Sequence, residues 1–298
     1  MSDSTPPLTV LMATRNGAAH LPAQLASLAA QIHRNWQLWV SDDGSQDATR
    51  AIILDFARTH DVRLIDGPQR GAVANFMHLL CHPELPPAPA ALSDQDDIWL
   101  PDKLARAVTA LTRTDAPVIY GGSSVHITNN DKPVGTSPKW PRGPSFENAL
   151  LQNVVSGHST VLNPTALDIV RRAGVPAGIA FHDWWLYQLL TGAAARVVLD
   201  TQTVLHYRQH TDNVMGSFRG PLARRLGLML DGTFGGWMAV NMAALQATDV
   251  LTPAARAKIE TVLTAPRRLA RALNQTGTHR QNRADNAALF AVAVLGRI

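Results

Sequence analysis

The chain has one cysteine, Cys81, among its 298 residues. That excludes an intramolecular disulfide and any zinc site built on several thiolates, and it leaves Cys81 a packing role on a helix. Long apolar runs are also missing. The longest late one, Ala287 to Leu295, falls well below the roughly 20 residues needed to cross a bilayer. Met1 to Pro7 lacks the basic-then-apolar pattern of a secretory signal, so the expected location is the cytoplasm. With 17% charged and 46% apolar residues the chain carries too little charge and too much apolar surface to be disordered. It shows no repeat, no low-complexity tract and no nucleic-acid motif, so nucleic acid is not an expected partner.

The net charge of +4 is unevenly spread. From residue 221 onward there are ten Lys or Arg against four Asp or Glu, so the first 220 residues carry a slight acidic excess. A basic tail of this kind suits an anionic lipid surface, and it also suits solvated helix faces.

What is present is an alternation of strand-like and helix-like segments over the first 115 residues. Leu8 to Ala13, Trp36 to Val40, Val62 to Ile65 and a run ending at Ser93 read as strands. Between them, Leu21, Leu25 and Leu28, then Ala51 to Phe56, then Val73 to Leu80 mark helices. This order predicts a mostly parallel α/β sheet flanked by helices. Further strands are expected at Val118 to Tyr120, Val154 to Val161, Val197 to Leu199 and Thr203 to Tyr207, and a loop at Gly135 to Gly143. From residue 221 the chain reads as a helical extension, with Thr252-Pro253 as one helix start. The expected organisation is therefore a sheet domain over 1–220, with a break in pattern near 115, followed by helices over 221–298.

Ligands of such sheets sit in the loops that leave the carboxyl ends of the strands. Three polar clusters fall at those ends: Thr14-Arg15-Asn16-Gly17, Asp42-Asp43-Gly44-Ser45 and Asp94-Gln95-Asp96-Asp97. Carboxylates as close as Asp94, Asp96 and Asp97 repel one another unless a cation neutralises them, and a divalent metal that also holds phosphate oxygens does so. An acidic turn capping the helix that follows, with Pro101 near its start, would use the same residues. Asp42 and Asp43 can accept from a nucleobase N–H and from ribose hydroxyls, although an Asx turn accounts for one of them.

Two later segments add chemistry. His182-Asp183-Trp184-Trp185 sets an acid beside large aromatic surface, which suits a general base and platforms for the apolar faces of sugars. A helix start with the tryptophans in the core is the plainer reading. Tyr207-Arg208-Gln209-His210, with His206 before it and Asn213 after it, brings cations and donors that can neutralise a leaving pyrophosphate.

Taken together, Val10 to Gly17, Ser41 to Ser45, Ser93 to Trp99, His182 to Trp185 and Tyr207 to His210 resemble the family 2 glycosyltransferases of GT-A fold, and most nearly their bacterial rhamnosyltransferase subgroup. The motifs run in the family's order over residues 8–215. The resemblance implies that Thr14 and Asn16 line the nucleotide pocket, that Asp42 or Asp43 reads the base, and that Asp94 holds the ribose side. It implies a Mn2+ or Mg2+ ion at Asp96, with Asp94 and His206 as further candidate ligands, and Arg208 at the diphosphate. Asp183 aligns with the family's catalytic base in an inverting displacement, and His182, Trp184, Trp185 and His158 fall on the acceptor side. His158 stands where relatives commonly have a small residue or cysteine, and Arg15 where many have tyrosine.

The implied reaction moves a deoxyhexose, with rhamnose from dTDP-rhamnose favoured, to a saccharide or lipid-linked saccharide in cell-surface polysaccharide synthesis. A UDP-hexose donor is the nearest alternative. A nucleotidyltransferase of similar fold would show a richer glycine loop than Thr14 to Gly17, and a non-catalytic sugar- or lipid-binding module would have no use for intact acidic motifs. Residues 221–298 are expected to touch the inner face of the cell membrane peripherally or to cap the sheet.

Overall fold

The computed structural model describes residues 7–209, 227–265 and 268–294. Contacts divide the chain into two units. One holds residues 1–138, 155–175 and 195–208, and the other holds 139–154, 176–194 and 209–298. The division is therefore not a single cut near residue 220: the segment with the His-Asp-Trp-Trp motif groups with the carboxyl-terminal helices.

The first unit is built on one sheet. Its elements in chain order are β1 (Leu8–Thr14), α1 (Leu21–Ala29), β2 (Trp36–Asp42), α2 (Thr49–Phe56), β3 (Val62–Asp66), α3 (Ala72–Leu80), β4 (Ala90–Ser93), β5 (Ile98–Trp99) and α4 (Lys103–Leu111). They continue with β6 (Val118–Ile127), β7 (Pro133–Thr136), a 3-10 turn at Gly157–Ser159, β8 (Val161–Leu162), α6 (Pro164–Ala173) and β9 (Arg196–Arg208). The strand order is β3-β2-β1-β4-β8-β6-β9-β5, with β7 on β6. The run β3-β2-β1-β4 is parallel throughout, β6 and β9 are parallel, and the other pairings are antiparallel. The expected mostly parallel sheet flanked by helices is thus present.

Parallel strands covered on both faces need apolar side chains at successive positions, and β1 is buried nearly throughout. Leu8, Val10, Met12, Leu38 and Val40 pack with Leu21, Leu25 and Leu28 of α1 and with Leu104, Ala107, Val108 and Leu111 of α4. Register then decides function. Thr14 lies opposite Asp42 and Asp42 opposite Asp66, so all three reach the same carboxyl edge.

Three local expectations change. Val154 to Val161 is not a strand: only Val161–Leu162 pairs, after the 3-10 turn. The cause is local competition, because Ser156 O accepts from the hydroxyls of Ser159 and Thr160, both at 3.0 Å. The two strands expected over 197–207 are one, β9, whose register against β6 shifts around Ser123. The loop expected from Gly135 begins as β7.

The second unit is helical. It holds α5 (Phe146–Ala149), α7 (His182–Gly192), α8 (Thr233–Gln246), α9 (Pro253–Leu263), α10 (Leu269–Gln275) and α11 (Arg283–Val294). Thr252 caps α9 by accepting from Ala255 N, with Pro253 in the first turn, as the sequence predicts. Gly192 packs so closely on Phe146 and Leu251 that a Cβ there would lie 2.7 Å from Leu251 and 2.9 Å from Phe146. No helix of the described residues is long and apolar enough to cross a membrane.

Candidate active site

The loops after β1, β2 and β4 interlock at the carboxyl edge of the parallel run. Asn16, at φ 49, donates its N–H to Ser45 Oγ at 2.9 Å and accepts from Gln46 N at 2.8 Å. Asparagine tolerates the left-handed region better than most residues, which suits this turn. Gly17 and Ala18 donate to Thr49 Oγ1 (2.8 Å) and Asp47 Oδ2 (3.0 Å), so the start of α2 grips the loop before α1.

The four residues expected around the nucleotide are all here: Asn16 is exposed, while Thr14, Asp42 and Asp43 are sunk in this lattice. Thr14 Oγ1 donates to Asp42 Oδ1 at 3.3 Å. Asp42 also accepts from Ser45 N at 3.2 Å, from Ser45 Oγ, and from Arg50 at 3.1 Å. Arg50 reaches on to Asp66 at 2.9 Å. Asp43 spends one carboxylate oxygen on Gln69 N (2.6 Å) and the other on Gly71 N (2.7 Å). Asp42 and Asp43 are 2% and 3% exposed, so in this conformation their carboxylates shape the loops rather than face solvent.

The acidic loop between β4 and β5 surrounds a buried carboxyl group. Asp97 is wholly buried: one oxygen accepts from Arg208 N at 3.4 Å, and Oδ2 has no hydrogen-bond partner among the described residues. Burial pushes its pKa well above the ordinary carboxylate value, with repulsion from Asp94 and Asp96 adding to it and Lys103 opposing. Lys103 is equally buried; it donates to His158 O at 2.7 Å and lies 3.2 Å from the centre of the Trp99 ring. Burial holds its pKa well below the usual lysine range, while Asp97 and Asp94 pull the other way.

Donor atoms of Asp94, Asp97 and His158 lie within 4.8 Å of one another. Two carboxylates and an imidazole fit a divalent cation, and the unpartnered Asp97 oxygen is the kind of atom a cation satisfies. Of the expected ligands, Asp94 is in this group. Among the described residues this group includes neither the Asp96 carboxylate nor the imidazole of His206, which lies on β9 opposite Ile98. His158, expected on the acceptor side, sits on the 3-10 turn with its ring stacked on Tyr207 at 4.5 Å.

Arg208 is 3% exposed and its guanidinium is committed to the chain. It donates to Asp96 O at 3.1 Å, Thr128 O at 3.2 Å and Asn129 O at 3.1 Å, and it pairs with Asp131 at 2.7 Å. It therefore ties the acidic loop to the β6–β7 turn. His210 and Asn213 lie outside the described residues.

In the second unit, the His-Asp-Trp-Trp segment opens α7. Asp183 Oδ1 accepts from Trp184 N at 2.8 Å in the first turn, where a negative charge also meets the positive end of the helix dipole. Trp184 and Trp185 are 4% and 0% exposed, so neither ring offers an open face to a sugar. Trp184 Nε1 donates to Ala149 O at 2.6 Å and its ring stacks on Phe234 at 5.9 Å. Burial lowers the His182 pKa below its ordinary value, against the opposing pull of Asp183. An unfolded chain binds that proton more readily, so stability is complete above about pH 6.5 and declines as pH falls through the folded-state value. His182→Gln is expected to remove this part of the decline, and melting temperatures of both proteins from pH 8 to 5 check it.

Sequence reasoning missed several residues. Gln24 and Ser27 on the buried face of α1, and Gln31 just beyond its end, put a polar stripe under the sheet-side core. Ser27 Oγ accepts from Trp99 N at 3.0 Å, Gln31 Oε1 accepts from Leu104 N at 3.0 Å, and Gln31 Nε2 donates to Leu100 O at 2.8 Å. Lys103 had a readable signal: it lies four and eight residues before Ala107 and Leu111 on the buried stripe of α4.

The chain is 26% identical over 231 residues to the dTDP-rhamnosyl transferase RfbG of Shigella flexneri, covering 73% of this chain and 78% of that one. It is 28% identical over 171 residues to the Escherichia coli UDP-Glc:alpha-D-GlcNAc-diphosphoundecaprenol beta-1,3-glucosyltransferase WfgD, covering 55% and 65%. In fold it is similar to S. aureus TarS 1-349 in complex with UDP-GlcNAc, at TM-score 0.63, 14% identity, and 98% and 82% coverage. The mannosyltransferase PcManGT of Pyrobaculum calidifontis, in complex with GDP-Man and Mn2+, aligns at TM-score 0.55, 19% identity, and 99% and 86% coverage. Glycosyl transferase family 2 matches residues 9–162, more than half of the chain, and with the GT-A fold and interlocked loops already described, the chain belongs to that family and is a glycosyltransferase using a nucleotide-sugar donor.

Proposed function

We propose that the protein transfers a deoxyhexose, with dTDP-rhamnose as the preferred donor, to a saccharide or lipid-linked saccharide acceptor with inversion at the anomeric carbon. The observation that carries this reading is the grouping of Asp94, Asp97 and His158 next to the interlocked loops after β1, β2 and β4 at the carboxyl edge of the sheet. The likeness to RfbG supports rhamnose, and the likeness to WfgD keeps a UDP-hexose donor as the competing reading.

In this reading the lattice of Thr14, Asn16, Asp42 and Asp43 fixes the rim on which the nucleoside lies. Asp94, Asp97 and His158 hold a divalent cation, and the mixed carboxylate and imidazole set favours Mn2+ over Mg2+. Such a cation supplies Lewis-acid stabilisation of the charge developing on the leaving diphosphate. Arg208 holds the main chain of Asp96 in place and the buried Lys103 holds the His158 turn by its carbonyl. Asp183 takes the proton of the acceptor hydroxyl as that oxygen attacks the anomeric carbon, one in-line displacement that inverts the centre.

Thermal shifts with a panel of nucleotide sugars, with Mn2+ or with EDTA, test the reading, because a ligand of the native state raises the melting temperature. The expected result is a shift with dTDP-rhamnose that needs Mn2+, and rhamnosyl transfer to an added saccharide. A shift confined to UDP-hexoses would replace the donor, and full transfer in EDTA would remove the metal.

The basic segment over 221–298 supports peripheral contact with anionic membrane, each basic residue near such a surface being worth about 1 kcal/mol. Co-sedimentation is expected with anionic vesicles, not neutral ones, and salt should release it. Equal behaviour with both vesicle types would leave the segment a purely structural one.

A further inference from the structure

Gln95 stands between two carboxylates yet turns its amide to a different loop. Its Oε1 accepts from Arg15 N at 2.9 Å and its Nε2 donates to Arg15 O at 3.1 Å. One side chain thus satisfies both polar groups of a single peptide residue, as a neighbouring strand would. The β1–α1 loop is shaped to admit it. A Cβ on Gly17 would lie 2.3 Å from Gln95 Oε1 and 2.6 Å from its Cδ, far inside contact distance, so glycine is required while the clasp is closed. Asparagine at 95 would be one methylene too short to span the same pair.

We propose that Gln95 is a positioning residue that locks the loop of Thr14 to Gly17 onto the loop of Asp94 to Asp97, so that the nucleotide rim and the diphosphate end of the pocket are held in register before the donor arrives. This rests on the nucleotide-sugar reading above. Both bonds lie at the exposed edge of the sheet, away from the core of Leu8, Val10 and Met12, so the clasp contributes to preorganisation of the pocket more than to folding. Gln95 touches neither reacting atom in this account. It acts through the main chain of Arg15.

The test is a double-mutant cycle of Gln95→Ala and Gly17→Ala, read by calorimetric titration of dTDP and UDP in the presence of Mn2+, by steady-state kinetics, and by melting temperature. Gln95→Ala is expected to weaken nucleoside diphosphate binding about tenfold and to raise donor KM in parallel, with the loss falling on KM rather than kcat and the melting temperature nearly unmoved. Gly17→Ala should weaken binding at least as much. In the double variant its added cost should shrink to less than about twofold, because the amide it collides with is gone. Unchanged nucleotide affinity in Gln95→Ala overturns the proposal, as does a lowered melting temperature with affinity intact. Penalties that multiply in the double variant also overturn it, since independent sites behave so. Failure of the unaltered protein to bind either nucleotide would instead refute the nucleotide-sugar reading, and the proposal with it.

Discussion

Asp183→Asn is expected to lower kcat by about 10²–10⁴, the range for loss of a general base, while donor affinity stays within a few-fold. The asparagine keeps the shape of the side chain, and its amide oxygen can still accept from Trp184 N, now at 2.8 Å from Asp183 Oδ1, so α7 keeps its first turn. What is lost is a carboxylate able to take a proton. Steady-state kinetics with donor and acceptor varied separately, together with the melting temperature, check this. A variant that loses donor binding instead would move Asp183 from the acceptor to the nucleotide side, and an unaltered kcat would leave it a helix-start residue.

That variant matters because α7 shows where sequence reading succeeds and where it stops. The Asp183-Trp184-Trp185 pattern admits two readings, a base beside sugar platforms or a helix start with aromatic core. The structure assigns Trp184 and Trp185 to the core of the helical unit, while Asp183 keeps a place in the first turn that serves either role. Periodicity reported the strands β1 to β4 and the helices between them, since their burial follows directly from apolar spacing. It could not report that Ser156 would divert Val154 to Val161 into a turn, because that outcome depends on hydroxyl bonds rather than on hydropathy.

The site divides in the same way. Loop position at strand ends was legible from the βα order, and it gathered Thr14, Asn16, Asp42 and Asp43 in one lattice as the spacing implied. Which carboxylates would be buried was not. Asp94, Asp96 and Asp97 look alike in sequence, yet only Asp97 is sealed with Lys103, and it is Asp94 and Asp97 that approach His158. A two-residue strand, β5, makes that choice by pairing Ile98 and Trp99 with His206 and Leu205 of β9, more than a hundred residues later. Non-local pairing of this length leaves no trace in a local window.

Lys103→Met is expected to destabilise the sheet unit by about 1–3 kcal/mol, because the buried His158 carbonyl loses its Lys103 donor. Methionine matches the length and apolar stem of lysine, so little of the loss can come from a cavity. The lost groups are specific: the ammonium bond to His158 O at 2.7 Å, the contact over the Trp99 ring at 3.2 Å, and the positive charge beside Asp97. The control is Lys103→Met with Asp97→Asn. Burial disfavours the charged form of both groups, so replacing Asp97 as well should recover part of the lost stability even though the double variant carries one more substitution. Denaturant midpoints of the four proteins measure this. Recovery of stability without recovery of Mn2+ affinity would separate the two tasks of Asp97, since the asparagine can fill the space but is a poorer cation ligand than the carboxylate it replaces. Additive losses in the double variant would mean that Lys103 and Asp97 act independently in holding the acidic loop.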